Sequence, residues 1–209
     1  MSVITLEKKI LKKNDETANE IKNILKNKNI FSINMLSSPG SGKTSLLEKT
    51  IDFLHNDLKI AVIEGDIQTD IDAQRIAKHN VPAIQIVAHG TCHLEANLIK
   101  ECIEKLNLDE LNLIVIENVG NLICPSSYDL GENLKVVAIS TTEGDDKPLK
   151  YPAIFRGASV MVINKIDLLP YVPFSMEKVK ANALSINPNL LFFETSCTTG
   201  TGMKTGVTG

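Results

Sequence analysis

The residues of this chain best suited to chemistry form a run rich in glycine and hydroxyl side chains, from Ser37 to Thr44. It reads Ser-Ser-Pro-Gly-Ser-Gly-Lys-Thr, and the apolar stretch from Ile30 to Leu36 precedes it. Backbone N–H groups of such a turn, backed by the N-terminus of a following helix, bind the phosphates of a nucleotide. The run therefore predicts a phosphate-binding P-loop, with Ser37 at the position of the pattern's first glycine.

In a P-loop the lysine and the hydroxyl residue have separate tasks. Lys43 would contact the β- and γ-phosphates, and the Thr44 hydroxyl would hold Mg²⁺. The residues predicted to bind the phosphates are Pro39, Gly40, Ser41, Gly42, Lys43, Thr44 and Ser45.

A second motif indicates which base is bound. The apolar run Val160–Ile163 ends in Asn164-Lys165-Ile166-Asp167, the Asn-Lys-x-Asp signature of GTP-binding proteins. A carboxylate accepts from two neighbouring N–H donors, which the edge of guanine offers and adenine does not, so Asp167 predicts GTP or GDP as the ligand. Asn164 would meet the opposite edge of the base, and the stem of Lys165 would cover its ring.

A third group of residues suits a soft or borderline metal ion. Cys92 and His93 lie in a stretch predicted to open a helix, where the pKa of a thiol is lowered and the metal-binding thiolate is favoured. Cys124 follows a predicted strand. Sulfur and imidazole ligands of this kind take Zn²⁺ or Ni²⁺. The alternative interpretation is that such Cys and His residues bind no metal, and it describes His89, Cys102 and Cys197 better.

Three such ligands do not close a tetrahedral or square-planar shell. A two-fold dimer that places Cys92, His93 and Cys124 opposite their mates would supply twice three, or six, ligands. The count therefore predicts a metal site at an interface between two copies.

The metal residues lie close in sequence to a position expected to sense the nucleotide. In GTPases the N–H of a glycine in the third nucleotide-binding motif, which here would be Glu117–Gly120, contacts the γ-phosphate. The loop that carries this glycine relaxes when GTP is hydrolysed. Gly120 occupies that position, and Cys124 lies on the same segment. A movement of this loop would shift a metal ligand, with an expected coupling of about 1–3 kcal/mol.

These motifs need a scaffold that places them at one edge. Apolar strand-like runs alternate with helical patterns, which predicts an α/β fold: a single P-loop GTPase domain with a mostly parallel sheet and helices on both faces. The motifs follow the strands, where such sheets bind ligands. The predicted strands are Phe31–Leu36, Ile60–Glu64, Ile84–Val87, Leu113–Glu117, Val136–Ser140, Val160–Ile163 and Leu191–Phe193. The predicted helices between them are Thr44–Leu54, Asp70–His79, His93–Leu106 and Ser175–Leu184.

Composition and charge narrow the class further. The chain has 209 residues, 43% of them hydrophobic, and a net charge of −3, which fits one domain and gives no sign of a nucleic-acid or anionic-membrane surface. No membrane-spanning stretch or secretory signal is expected, so we predict a cytoplasmic protein. The predicted organisation is an N-terminal helical extension over residues 1–28 (Thr5 to Lys28 as one or two helices), a GTPase domain over 29–197 and an irregular tail over 198–209.

Taken together, the motifs resemble those of the hydrogenase nickel-incorporation GTPases. The resemblance implies a GTP-dependent homodimer that works with other nickel-delivery proteins and delivers nickel to the large subunit of a [NiFe]-hydrogenase. It also implies that Cys92, His93 and Cys124 form the interface site for Ni²⁺ or Zn²⁺. The stretches that carry it are Ser37–Thr44, Ile63–Asp66, Cys92–Ala96, Glu117–Pro125, Thr142–Pro148 and Asn164–Asp167.

The resemblance assigns further roles by position. Asp66 would be the switch carboxylate near Mg²⁺, and Glu117 would stand where many GTPases have Asp. Ser196 and Cys197 would form the last guanine-contacting loop, although the family often has Ala and Lys after that serine. The residues predicted to support hydrolysis are Lys43, Thr44, Asp66, Glu117 and Gly120.

Hydrolysis is expected to be slow, because the sequence offers neither an obvious water-orienting Gln nor an assignable arginine finger, and Arg75 and Arg156 are its only arginines. Lys147 would either contact the nucleotide of a neighbouring subunit or remain a solvated loop charge, and the second is favoured. Two other functions stay open: a metal-storage module with a structural nucleotide, and a P-loop kinase for a small molecule.

Overall fold

The computed structural model describes residues 6–66, 71–87 and 90–204. Its strands are β1 (Phe31–Ser37), β2 (Ile60–Asp66), β3 (Ala83–Val87), β4 (Leu113–Glu117), β5 (Leu134–Ser140), β6 (Val160–Asn164) and β7 (Leu191–Glu194). Its helices are α1 (Leu6–Asn27), α2 (Lys43–Leu54), α3 (Ile71–Ala77), α4 (Ala96–Ile103), α5 (Lys147–Lys150), α6 (Pro152–Gly157) and α7 (Met176–Ile186).

All seven strands form one parallel sheet in the order β3-β2-β4-β1-β5-β6-β7. The predicted α/β fold is confirmed, and each predicted strand is present. The strand order reverses beside β1, so the carboxyl ends of β1, β4 and β5 meet at a topological switch point, where open α/β sheets bind their ligands.

The strands are apolar on both faces because helices cover both. On β2, Ile63 packs in the layer formed by α1 and α4, while its neighbour Val62 packs in the opposite layer under α2 and α3. Alternate residues of a strand point to opposite faces, so both must be apolar when neither face meets water. This explains the nearly continuous runs of Ile, Val and Leu.

The N-terminal helix is one long element and belongs to the same core as the sheet. Ala18, Ile21 and Leu25 of α1 are buried in the layer that covers β2 and β4, whereas Ile10 is exposed. The predicted division at residue 28 therefore does not correspond to a break in the packing. Within the described residues, no helix is both long enough and apolar enough to cross a membrane.

Two helix predictions need correction. The helix predicted from His93 begins at Ala96, and it is preceded by bends at Cys92 and His93 and by extended backbone at Glu95. The short helices α5 and α6 were not predicted. The predicted starts Thr5 and Asp70 lie outside the described residues.

The predicted irregular tail is packed where the structure describes it. Met203 is 3% exposed and lies in the core layer under α2. On the same face a groove of about 560 Å³ is lined by residues of α2 and of the strands β1, β4, β5, β6 and β7. Residues 205–209 lie outside the described part of the chain.

Candidate nucleotide and metal sites

The P-loop turns sharply between β1 and α2. Gly40 (φ 76°) and Gly42 (φ 93°) adopt the left-handed conformation that L side chains disfavour. Gly42 is the N-cap of α2, and a Cβ on it would approach the Asn164 amide nitrogen to 2.5 Å. The loop therefore needs glycine here for its backbone angle and for its contact with the end of β6.

The two reactive side chains of the P-loop converge on β4. The Lys43 ammonium lies 3.1 Å from Glu117 Oε1, and the Thr44 hydroxyl donates to the same oxygen at 2.8 Å. The Glu117 side chain is 2% exposed and that of Lys43 is 12% exposed, so both are shielded from water. Charge-assisted hydrogen bonds of this kind hold both P-loop groups in fixed positions.

These residues border a cavity of about 380 Å³ at the carboxyl ends of β1, β2 and β4. It brings together the P-loop and the predicted site residues Asp66, Glu117 and Gly120. A Cβ on Gly120 would lie 3.3 Å from Pro39 Cα, so the loop after β4 packs directly on the P-loop. The other lining residues are Ser37, Ser38, Glu64, Gly65, Asp72, Arg75 and Val119.

One acid in this cavity has no role in the sequence prediction. Glu64 pairs with Glu117 in the β2–β4 register and is 1% exposed. Burial, followed by the hydrogen bond and the charge of Glu117, raises the pKa of Glu64 far above its ordinary value. A hydrogen bond joins the two carboxyl groups, so the pair is held together when one of them keeps its proton. Glu64 Oε1 and Glu117 Oε2 are buried and receive no hydrogen bond from the described residues.

This carboxyl pair predicts how the nucleotide-free protein responds to pH. A raised pKa in the folded state means that the folded protein retains a proton which the unfolded chain loses above about pH 4.3. Stability should therefore fall as pH rises. In EDTA we expect the melting temperature of the wild type to decrease from about pH 6 to about pH 9, and Glu64→Gln to weaken that decrease.

Thermal unfolding followed by circular dichroism measures this effect. Replacement of the exposed Glu101 by Gln serves as the control and should leave the pH slope unchanged. Equal slopes for wild type and Glu64→Gln would show that Glu64 does not hold the proton.

The guanine motif occupies the end of β6 and is bound to the P-loop. Lys165 has φ 63°, an uncommon angle for a residue other than glycine, and its ammonium donates to the Gly40 carbonyl at 2.6 Å. The Ser196 hydroxyl donates to Asp167 Oδ1 at 2.5 Å, which leaves Oδ2 for another partner. These contacts place the base-reading residues at the open side of the P-loop.

Asn164 is buried where the guanine motif meets the P-loop. It is 1% exposed, its amide donates to the Ser41 carbonyl at 3.0 Å, and its oxygen accepts from the Thr195 hydroxyl at 3.2 Å. The Cys197 thiol is half-buried and lies 3.7 Å from the same oxygen. Asn164 therefore connects the guanine motif to the P-loop.

The two predicted metal-binding cysteines come together although 32 positions separate them in the sequence. A hydrogen bond with Cys124 raises the pKa of the Cys92 thiol, with smaller contributions from burial and from the charge of Cys124. The predicted lowering of this pKa at a helix N-terminus is wrong, because α4 begins four residues later. A bound metal would have to displace the proton that the two sulfur atoms share.

His93 does not complete a three-ligand cluster within one chain. Its ring stacks on Tyr128 with centroids 4.0 Å apart, and its Nε2 lies 3.7 Å from Glu95 Oε1. No group of three or more His, Cys, Asp or Glu side chains suited to a metal occurs in the described residues. Cys102, by contrast, is buried in the core beside α1, and burial raises its pKa, as expected of a structural thiol. His89 lies outside the described residues.

Two contacts connect the cavity to the cysteine segment. The Asn121 amide donates to the Cys92 carbonyl at 3.2 Å, and its oxygen accepts the Ile123 N–H at 2.8 Å. A Cβ on Gly65 would lie 2.7 Å from Leu94, so the end of β2 packs on the residue after His93. Movement at either edge of the cavity would reach the residues around Cys92.

Besides Asn121, three residues at the site were not predicted from the sequence: Glu64, Arg75 and Glu143. Glu64 and Arg75 border the cavity. Glu143 accepts from the Ser38 hydroxyl of the P-loop and from the Ser140 N–H at 2.9 Å. Lys147 lies 3.3 Å from Glu143, and its side chain is 22% exposed. It is thus a bound charge near the P-loop, not the solvated one that was favoured.

A parallel sheet with a P-loop after β1 and an Asn-Lys-x-Asp turn after β6 defines a P-loop nucleotide-binding protein with a guanine motif. The model of the CobW/HypB/UreG nucleotide-binding domain matches residues 32–194. The hydrogenase maturation factor HypB of Rhizobium leguminosarum bv. viciae is 48% identical over 97% of this chain and 68% of its own. The chain therefore belongs to the HypB hydrogenase maturation factors within the CobW/HypB/UreG family.

Solved structures agree with this assignment. The crystal structure of HypB from Archaeoglobus fulgidus has a TM-score of 0.88 at 39% identity, covering 94% of this chain and 96% of that one. The crystal structure of HypB from Helicobacter pylori in complex with nickel has a TM-score of 0.90 at 40% identity, covering 94% of this chain and 92% of that one.

Proposed function

We propose that this chain is a GTP-hydrolysing switch that carries Ni²⁺ or Zn²⁺ as cargo between two copies and assists nickel insertion into a [NiFe]-hydrogenase. The relatives are named hydrogenase maturation factors, and one related structure is a nickel complex. The observation that carries the proposal is the segment from Glu117 to Cys124. It begins at the phosphate cavity, passes Gly120 against the P-loop, and ends at the cysteine pair.

In this proposal the chain's own groups bind and orient the nucleotide. Backbone N–H groups of the P-loop and the Lys43 ammonium offset the charge of the phosphates, and Glu117 orients the Thr44 hydroxyl. Asp167 reads the guanine edge while Ser196 holds one of its oxygens. The Gly120 N–H would contact the γ-phosphate, and Cys197 would offer a backbone N–H to the guanine oxygen.

The cavity fits Mg²⁺. One carboxyl oxygen of Glu64 and one of Glu117 are buried there and receive no hydrogen bond from the described residues. Oxygen atoms of this kind are the hard ligands that Mg²⁺ prefers. The Thr44 hydroxyl and the Asp66 carboxylate are the proposed ligands. When bound, Mg²⁺ neutralises charge on the phosphates. Turnover should stay below about 1 s⁻¹, as in switch GTPases that act without a partner.

The cargo site needs two copies in this proposal. One chain supplies the adjacent sulfur atoms of Cys92 and Cys124, and His93 Nδ1 lies 3.8 Å from Cys92 Sγ while its ring stacks on Tyr128. A second copy would bring an equal set, and six donors suffice for a shared Ni²⁺ or Zn²⁺ site. GTP would favour the dimer and hold the metal loops, and hydrolysis would release the ion to a partner protein.

The decisive experiment compares nucleotide states. Ni²⁺ affinity and dimerisation are measured with GDP and with a non-hydrolysable GTP analogue, by titration and by analytical ultracentrifugation. We expect the two states to differ in metal affinity by about 5-fold to 150-fold. Transfer of nickel to a hydrogenase large subunit should require GTP. Identical affinities and identical dimerisation in both states would refute the switch, and tight Ni²⁺ binding without hydrolysis would favour a storage module.

Asn121→Ala tests the proposed route between the two sites. The variant loses the amide that bonds the Cys92 carbonyl, so the difference in Ni²⁺ affinity between the nucleotide states should shrink at least several-fold, with GTP affinity nearly unchanged. Asn182→Ala, which removes a comparable bond to the Asp145 carbonyl (3.0 Å), is the matched control. An undiminished difference in Asn121→Ala would exclude this contact as the route.

A further inference from the structure

Arg75 makes more contacts at the cavity than its place on the short helix α3 suggests. Its guanidinium contacts both carboxylate oxygens of Glu48 on α2, with Nε to Oε1 at 3.1 Å and Nη2 to Oε2 at 2.6 Å. It also donates to Asp72 Oδ1 and to the Ser45 hydroxyl, both at 3.1 Å. Glu48 holds the pKa of Arg75 above its ordinary value.

These partners lie on both sides of the phosphate cavity. Ser45 directly follows the P-loop threonine on α2, whereas Asp72 lies in the first turn of α3, which follows β2 and Asp66 in the chain. Ser45, Asp66, Asp72 and Arg75 all line the cavity. The fork of Arg75 thus joins the P-loop helix to the element that follows the predicted switch carboxylate.

A second pair lies one helical turn further from the cavity. His79 Nδ1 is 2.7 Å from Asp52 Oδ1, and its Nε2 is 3.9 Å from Glu48 Oε1. Glu48 and Asp52 are four residues apart on α2, and Arg75 on α3 and His79 in the turn after α3 are also four residues apart, so the two pairs are neighbouring contacts along α2. Only the Arg75 pair reaches the P-loop, which makes His79 a natural internal control.

The bidentate geometry explains why Arg75 can act as a clamp. An isolated surface ion pair contributes little, but a planar fork on both oxygens of a carboxylate adds directional restraint. The Arg75 side chain is 35% exposed and that of Glu48 is 22% exposed, so the pair is partly shielded from solvent. Lysine offers a single point charge and cannot reproduce the fork.

We infer that Arg75 is a positioning residue for the nucleotide site. By holding α3 on the P-loop helix, it keeps Asp72 and the end of β2 in place beside the phosphates and their cation. The expected effect of Arg75 on hydrolysis rests on the proposed GTPase function. Its expected effect on the response of nucleotide affinity to Mg²⁺ rests on nucleotide binding alone. Neither arginine was assignable as an arginine finger from the sequence, and Arg75 acts instead through its contacts with α2.

The test separates positioning from binding. Affinity for a fluorescent GDP is measured in EDTA and in Mg²⁺, and kcat and KM are measured with GTP. For Arg75→Gln we expect affinity in EDTA within about twofold of wild type, while kcat and the gain in affinity from Mg²⁺ each fall about tenfold to a hundredfold. Arg75→Lys should not restore either quantity, because it lacks the fork.

Partner variants make the result independent of one substitution. Glu48→Gln should reproduce the effects of Arg75→Gln, and the double variant should be no worse than either single one, because both remove the same contact. His79→Gln should stay within about twofold of wild type in both quantities. Thermal unfolding confirms that each variant is folded.

Two outcomes would overturn the inference. One is a wild-type kcat and a wild-type response to Mg²⁺ in Arg75→Gln and Glu48→Gln. The other is an equal loss in His79→Gln, which would assign the effect to general packing between α2 and α3. If the wild type hydrolyses no GTP, the proposed function fails, but the response of GDP affinity to Mg²⁺ still decides the role of Arg75.

Discussion

Asp167→Asn should exchange the base preference of the protein from guanine to xanthine. The Ser196 hydroxyl holds Oδ1 of Asp167 at 2.5 Å, so an asparagine would keep its oxygen on Ser196 and turn its NH₂ group towards the base. That group repels the N–H donors of guanine but can donate to the 2-oxo group of xanthine. We expect GTP affinity to fall by about 10⁴-fold, because a site built to hydrogen-bond one polar group strongly rejects a ligand that leaves its own groups unpaired. XTP should then become the better ligand.

Competition between GDP and XDP for a fluorescent nucleotide measures this exchange. Asp109→Asn, at an exposed residue of the turn before β4, removes the same charge elsewhere and should not alter the preference. Ser196→Ala should broaden the preference of the Asp167→Asn variant, because its amide would lose the contact that orients it. Retention of GTP binding in Asp167→Asn would refute the base-reading role.

The second large effect concerns the cysteine pair. Cys124→Ala and Cys92→Ala should each lower Ni²⁺ and Zn²⁺ affinity by more than about a hundredfold. Loss of a residue that only hydrogen-bonds a metal ligand already lowers metal affinity about 10-fold to 100-fold, and loss of the ligand itself should cost more. In the wild type, affinity should rise with pH, because the raised pKa of Cys92 means that a proton must leave before the metal binds. Isothermal titration at several pH values measures both effects.

The chain supplies two matched controls for this prediction. Cys102 is buried in the core and Cys197 is half-buried beside Asn164, and both lie apart from the Cys92–Cys124 pair. Cys197→Ala should leave metal affinity unchanged, and Cys102→Ala should lower only the free energy of unfolding. The proposed interface site also predicts one tightly bound ion for two chains. Equal metal affinity in Cys124→Ala and Cys197→Ala would rule out the cysteine pair as the site.

Local patterns in the sequence were sufficient for the sheet and for the two nucleotide motifs. Strands buried on both faces are apolar at nearly every position, and a P-loop needs its glycines and lysine within one turn, so both leave short, continuous signatures. The seven predicted strands are present for this reason. The cysteine pair could be proposed only because both residues flank predicted elements at the same edge of the sheet.

Helix boundaries and charge partners depended on contacts that no local pattern records. The N–H of Ala96 at the start of α4 donates to Asn14 on α1 at 2.9 Å, so a distant side chain caps the helix and Cys92 lies outside it. The Thr91 hydroxyl, meanwhile, bonds the His93 carbonyl within the preceding bend. The resulting position of Cys92 beside Cys124 reversed the direction of its pKa shift.

The sequence by itself determined the fold class, the P-loop and the Asn-Lys-x-Asp motif, because each depends on neighbours along the chain. Only the tertiary structure decided that Glu64 faces Glu117, that Arg75 binds Glu48, and that Asn164 binds the P-loop carbonyl of Ser41. These pairs form where strand register and helix packing bring distant segments within hydrogen-bond distance. The charges and amide groups involved are common at any surface, and their effect here comes from burial and distance, which the order of residues does not specify.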